Sequence, residues 1–169
     1  MTEPRLIDCP PRRFVGLQTP FIHGRSPETN APQLIGPLWS RFLQRCGEIA
    51  GRVDEGVLYG IIWGLPEDQR SHKHELWYMA GAEVPTEGDV VVPEGMAIRE
   101  VAACTLAVVE HRGPIEEVRR TLDLVYADWL PASKYEHAEI VDLERYDDRF
   151  DGCSEDSVFD YGISVKPKA

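Results

Sequence analysis

The sequence predicts an α+β domain of two strand–helix–strand–strand units, with antiparallel sheets related by a pseudo-two-fold axis. Three observations carry that expectation. Short apolar runs bounded by turn formers alternate with two longer stretches of helical period. Their order is the same in both halves, at about 12–85 and about 97–166. No linker long enough to separate independent domains interrupts the 169 residues, so positions 1–169 read as a single domain. Two such units side by side put the helices on one side and leave a central ligand groove between the halves.

The elements follow in chain order. Residues 1–11 read as an irregular lead-in, because Pro4, Pro10 and Pro11 oppose a helix. Arg13–Thr19 (RFVGLQT) is a strand, and the turn-rich Phe21–Pro32 joins it to the first helix. That helix is marked by Ile35, Leu38, Trp39, Phe42, Leu43, Cys46 and Ile49, spaced by three and four. Pro37 is tolerable near its first turn, and Gly51 is its stop. Gly56–Trp63 and Glu75–Val84 form a hairpin across the polar Leu65–His74, and Pro85–Met96 divides the halves. Ala97–Ala102 and Thr105–His111 are one bent strand or two. The second helix has Gly113 at its cap, Pro114 first, and Glu116 and Glu117 against its dipole. Its stripe is Ile115, Val118, Leu122, Val125 and Trp129, and Pro131 ends it. Glu139–Tyr146 and Val158–Val165 then flank the acidic loop Asp147–Ser157.

Composition excludes several function classes. A formal net charge of −11 without a basic patch argues against nucleic-acid binding, which needs clustered Lys and Arg against phosphates. Only twelve residues precede the first strand, too few for a DNA-reading module, so no direct DNA binding is expected. No apolar run approaches the roughly 20 residues of a membrane span, and the N-terminus lacks a secretory h-region, so the expected location is cytoplasmic. Cys9, Cys46, Cys104 and Cys153 are far apart and read as small hydrophobes. His72 and His74 form the one close histidine pair, with no third ligand beside them, so neither a metal nor a cofactor is expected. No Ser–His–Asp or Cys–His set suggests a nucleophile.

Strand alternation sorts the remaining candidates. With helices over Leu58, Ile62, Val141 and Leu143, the opposite face carries Val57, Tyr59, Ile61, Trp63, Glu144 and Tyr146. Tyr78, Ala80, Ala82 and Val84 lie beneath a helix with Phe159, Tyr161, Ile163 and Val165, leaving Trp77, Met79, Glu83 and Asp160 on the other side. The non-helix face of the first unit is thus apolar and aromatic, and the second unit, a partner chain or a ligand must cover it. Placed among Tyr59, Trp63, Trp77 and Tyr146, the Glu144 carboxylate is partly desolvated and suited to a lipophilic cation. Met79 and Trp39 complete the expected ligand-binding set.

Six loose motifs in register support this picture. Ile35-Gly-Pro-Leu-Trp39-Ser-Arg-Phe42, Tyr59-Gly60, Met79-Ala-Gly-Ala-Glu83-Val84, His111-Arg-Gly-Pro114, Trp129-Leu-Pro131 and Leu143-Glu144-Arg-Tyr146 resemble the gyrase-inhibitor-like (GyrI-like) effector-binding domain. This domain is attached to AraC-type and MerR-type bacterial transcription activators and also occurs alone. The resemblance spans about Arg13 to Lys166. It implies a duplicated fold whose groove binds amphipathic or cationic small molecules, with Glu144 as the pocket glutamate and Tyr59, Trp77 and Trp39 as groove aromatics. One departure is Lys134, where family sequences often carry glycine. The expected function is stand-alone binding of a hydrophobic, cationic or aromatic molecule, for sequestration or sensing. The resemblance leaves two alternatives: a hydrolase of reactive cyclopropanoid compounds, with Glu144 activating water, and gyrase-inhibitor-like protein–protein interaction. Ligand identity and a homodimer or regulatory protein partner are left open.

Overall fold

A computed structural model describes residues 3–169; Met1 and Thr2, part of the expected lead-in, lie outside the described residues. The strands are β1 (Arg5–Cys9), β2 (Arg12–Ile22), β3 (Leu58–Gly64), β4 (Glu75–Val84), β5 (Ala97–Val101), β6 (Cys104–Arg112), β7 (Tyr135–Tyr146) and β8 (Val158–Pro167). They form one antiparallel sheet in the order β1-β6-β8-β7-β3-β4-β2-β5. The order reads the same from both ends once the halves are exchanged, so the pseudo-two-fold falls between β3 and β7. The duplicated α+β architecture is therefore present.

The lead-in is where the sequence reading departs first. Arg5–Cys9 is a strand, terminated by the Pro10-Pro11 pair that cannot donate to a ladder. It pairs with β6 of the other half, Cys9 opposite Cys104. Reciprocally, β5 leads the second half but pairs with β2 of the first, Val101 opposite Arg12. Residues 10–11 and 102–103 thus join strands from opposite ends of the sheet order. Two residues reach at most about 10 Å, so the sheet must wrap until its ends approach.

Wrapping gives the sheet two apolar sides. On the helix side, Val15, Phe21, Tyr78, Ala80, Phe159, Tyr161 and Ile163 pack beneath Leu38 and Phe42 of helix α1 (Ala31–Leu43) and Leu122 and Val125 of the second helical segment. On the inner side, Phe14, Tyr59, Ile61 and Met79 form a second cluster with Leu106, Val108, Val141 and Leu143. The aromatic face that needed cover is closed by the other half of the same chain.

Both helices are less regular than their stripes suggest. α1 ends at Leu43, which is exposed, and a 3-10 turn at Cys46–Glu48 carries the chain to buried Ile49. Because α1 begins at Ala31, Pro37 is interior rather than in the first turn. The second segment opens with a 3-10 turn at Ile115–Glu117 and continues as α2 (Val118–Asp123). It then widens into a π-helix over Leu124–Trp129 and closes with a turn at Leu130–Ala132. Pro131 sits inside that last turn instead of stopping the helix before it. Lacking an N–H, Pro131 cannot bond the preceding turn, and a widened turn accommodates its ring. No helix among the described residues is long and apolar enough to cross a membrane.

Candidate functional site

α1 packs on β2 and β4, and the second helical segment on β6 and β7, leaving the central strands between them. Here lies Glu144, on β7, with only 8% of its surface exposed. The ladder pairs Glu144 with Gly60 and Leu143 with Ile61. Paired residues of an antiparallel ladder share a face, so Glu144 takes the side of Leu58, Gly60 and Ile62, beneath the helices. The expected sides of β7 are therefore reversed. Val141 and Leu143 face the inner cluster, while Asp142, Glu144 and Tyr146 face the helices. A one-residue difference in alignment turns every side chain of a strand over, and matching Leu58-Tyr59-Gly60 to Leu143-Glu144-Arg145 made that difference.

This correction divides the expected site. Glu144, Tyr146 and Trp39 converge. Tyr59, Trp63, Trp77 and Met79 lie on the inner side, away from the carboxylate. There Tyr59 packs edge-on against Phe14 and accepts a hydrogen bond from Arg12 Nη2 at 3.2 Å, while Arg12 also grips Glu83 through two 2.9 Å bonds. Trp63 and Trp77 stack across the β3–β4 ladder, and Met79 is fully buried.

Tyr78 is the residue the sequence reading missed at this site. Its hydroxyl donates to Glu144 Oε2 at 2.5 Å and accepts the Trp39 indole N–H at 2.8 Å. Tyr146 donates to the same carboxylate oxygen at 3.0 Å, and its ring lies edge-on to Trp39, 5.3 Å between centroids. Burial and the Glu144 charge push both tyrosine pKa values well up, so the hydroxyls keep their protons and donate. Gly60 makes room for the carboxylate. A Cβ there would stand 2.5 Å from the Tyr78 hydroxyl and closer still to Glu144 Oε2. A glycine inside an apolar strand is the sequence signal for such a close approach.

The carboxyl of Glu144 is held above its usual range. Burial is the largest cause and Asp142 adds to it, while the Tyr78 and Tyr146 hydroxyls pull it down. Among the described residues no Lys, Arg or His forms an ion pair with it.

Asp142, two residues earlier on the same side of β7, shows the contrast. Its carboxylate accepts hydrogen bonds from Tyr126, from Tyr161 at 3.1 Å, and pairs with His137 Nε2 at 2.8 Å. Every strong interaction it needs is internal. Asp142→Ala is accordingly expected to cost about 2 kcal/mol of stability in urea unfolding, because two buried hydroxyls and an imidazole lose their acceptor. A loss within about 0.5 kcal/mol, typical of surface positions, would contradict that role.

The comparisons with known proteins fit this architecture. The family model of the GyrI-like small molecule binding domain matches residues 2–166. The chain belongs to that family. Its GyrI-like sequence is 36% identical over 148 residues to the transcriptional regulator BrlR of Pseudomonas aeruginosa, covering 88% of this chain and 49% of that protein. The chain thus spans about half the length of that curated relative. The GyrI-like fold is shared with SAV2435, whose structure was determined bound to tetraphenylphosphonium, at a TM-score of 0.73 and 19% identity, covering 98% and 94% of the two chains. It is also shared with a hydrolase encoded by lin2189 from Listeria innocua, at a TM-score of 0.51 and 14% identity, covering 97% and 92%. At these identities the two structures speak for the fold alone.

Proposed function

We propose that this GyrI-like domain binds a lipophilic organic cation between its two helical layers, with Glu144 as counter-ion and Trp39, Tyr78 and Tyr146 as aromatic walls. The observation that carries the reading is a buried carboxylate with two hydroxyl donors and no ion-paired cation among the described residues. Isolated ionised carboxylates are costly in an apolar setting. A delocalised cation removes that cost and gains roughly 0.5–2 kcal/mol per well-placed aromatic face. Two further points support it: the structure of SAV2435, which shares the fold, is bound to such a cation, and BrlR is a transcriptional regulator. The ligand must part Trp39 from Tyr146 to reach the carboxylate, so the indole is the natural reporter of entry. Binding of this kind serves sensing or sequestration. Water activation by Glu144 gains no specific geometric support, since both hydrogen bonds to its Oε2 come from tyrosines.

The experiment is a titration with tetraphenylphosphonium across pH, read by tryptophan fluorescence. The cation binds the ionised carboxylate, whose pKa is raised in the free domain. Affinity is therefore expected to fall as pH drops through that raised value, by up to about tenfold per pH unit, and to level off above it. A flat profile would disconnect Glu144 from the ligand.

A further inference from the structure

The β7 ladder breaks between His137 and Asp142. Glu139 adopts a left-handed φ of 58° there, and Ser164 Oγ accepts the N–H groups of Ile140 and Val141 at 3.1 Å each. The bulge draws β7 away from the end of β3, whose pairing with β7 stops at Ile62. A cavity of about 530 Å³ opens in the gap, within the usual range for small-molecule sites. Its walls include Trp63, Leu65, Ile140, Arg70, Arg99 and His137.

Arg99 is the unusual member. Its guanidinium lies 4.7 Å over the Trp63 ring, its Nε is shut off from solvent without a hydrogen-bond partner, and no carboxylate pairs with it among the described residues. Other arginines of the chain, such as Arg12, Arg13, Arg25, Arg145 and Arg149, are paired with acids. Arg70 adds a second guanidinium, with its Nε committed to the Leu65 carbonyl at 2.8 Å. Two acids also border the space. Asp142 is already engaged by Tyr126, Tyr161 and His137, and Glu139 is exposed at the bulge. Arg99 therefore faces the apolar wall without a paired acid among the described residues, while Glu139, the unpaired acid, is exposed to solvent at the bulge.

From this geometry we infer a second ligand site, distinct from the Glu144 groove, that takes a planar aromatic carboxylate. The carboxylate meets the Arg99 fork, which is pre-set by its stacking on Trp63, and the ring lies against Trp63, Leu65 and Ile140. Planar guanidinium groups are matched to carboxylates in two-pronged fashion. The domain would then receive ligands of opposite charge at two separate places.

The test is an NMR titration of the full chain with 2-naphthoate, following the indole N–H groups of Trp63 and Trp39. The expected result is a saturable shift at Trp63, weakened roughly tenfold to a hundredfold in Arg99→Gln and unchanged in Glu144→Gln. 2-Naphthamide, equal in shape but uncharged, should bind the unmodified chain at least about tenfold more weakly. That comparison decides the matter whatever the variant's stability. Equal binding of acid and amide, no saturable shift, or a shift at Trp39 that vanishes in Glu144→Gln would each overturn the inference.

Discussion

Glutamine at position 144 is expected to weaken tetraphenylphosphonium binding roughly tenfold to a hundredfold at neutral pH, and to raise the Tm of the free domain. The two effects have one cause. Glu144 is nearly buried among aromatic side chains, and its raised pKa means that the folded state holds the proton more tightly than the unfolded chain. The sign is fixed by linkage: the stability this group contributes is complete below the unfolded pKa and is lost as pH rises through the folded one. Glutamine still accepts from Tyr78 and Tyr146 but carries no charge. The gain in Tm should therefore be present at pH 7 and disappear in acid, where glutamic acid is already neutral. Calorimetry at the two pH values, beside fluorescence titration, checks both halves. A variant with unaltered affinity and a lower Tm would reverse the assignment and make Glu144 a structural residue. Such opposition between stability and binding is common where a site is held ready for its ligand.

The second large effect is on folding. Gly60→Ala is expected to destabilise the domain by about 3 kcal/mol, the size of a severe core defect. Its methyl group meets Glu144 Oε2 and the Tyr78 hydroxyl from one side, while Trp39 and Tyr146 hold them from the other. The carboxylate cannot retreat without breaking two hydrogen bonds. Chemical denaturation measures the loss, and the Gly60→Ala/Glu144→Ala double variant gives a second readout. With the carboxylate removed, the methyl group should cost about 1 kcal/mol or less, and a persistent loss of about 3 would place the clash elsewhere.

Much of this fold was legible because β2, β3, β4, β6 and β8 carry alternating or continuous apolar runs, and because the two stripes on Leu38–Phe42 and Leu122–Val125 obey helical spacing. What was not legible depended on partners far along the chain. Arg5–Cys9 carries too little apolar patterning to announce a strand; its exposed Leu6 and Ile7 leave only Cys9 buried, and it exists through pairing with β6. The sides of β7 were misread because alternation has no absolute phase. Glu144 and Leu143 are each plausible inward residues until the ladder sets one opposite Gly60. That same misreading gathered Tyr59, Trp63, Trp77 and Met79 around the carboxylate. Strand alternation puts Tyr78 beneath a helix, as the structure does, but its bond to Glu144 depends on the phase of β7. Gly60 was the available clue: a glycine amid Leu58, Tyr59, Ile61 and Ile62 costs strand stability unless something occupies the space above it.

The crossed leading strands also set a timetable for the chain as it is made. Arg5–Cys9 is synthesised about a hundred residues before its partner, and its hydrogen-bonding edge waits until Cys104–Arg112 has followed. Long-range pairing of this kind is slow to form. The first half can build its own β2-β4-β3 ladder meanwhile, but its β2 edge stays open until β5 emerges. Closure of the wrapped sheet is thus a late, mutual event, in which each half supplies the final rung of the other.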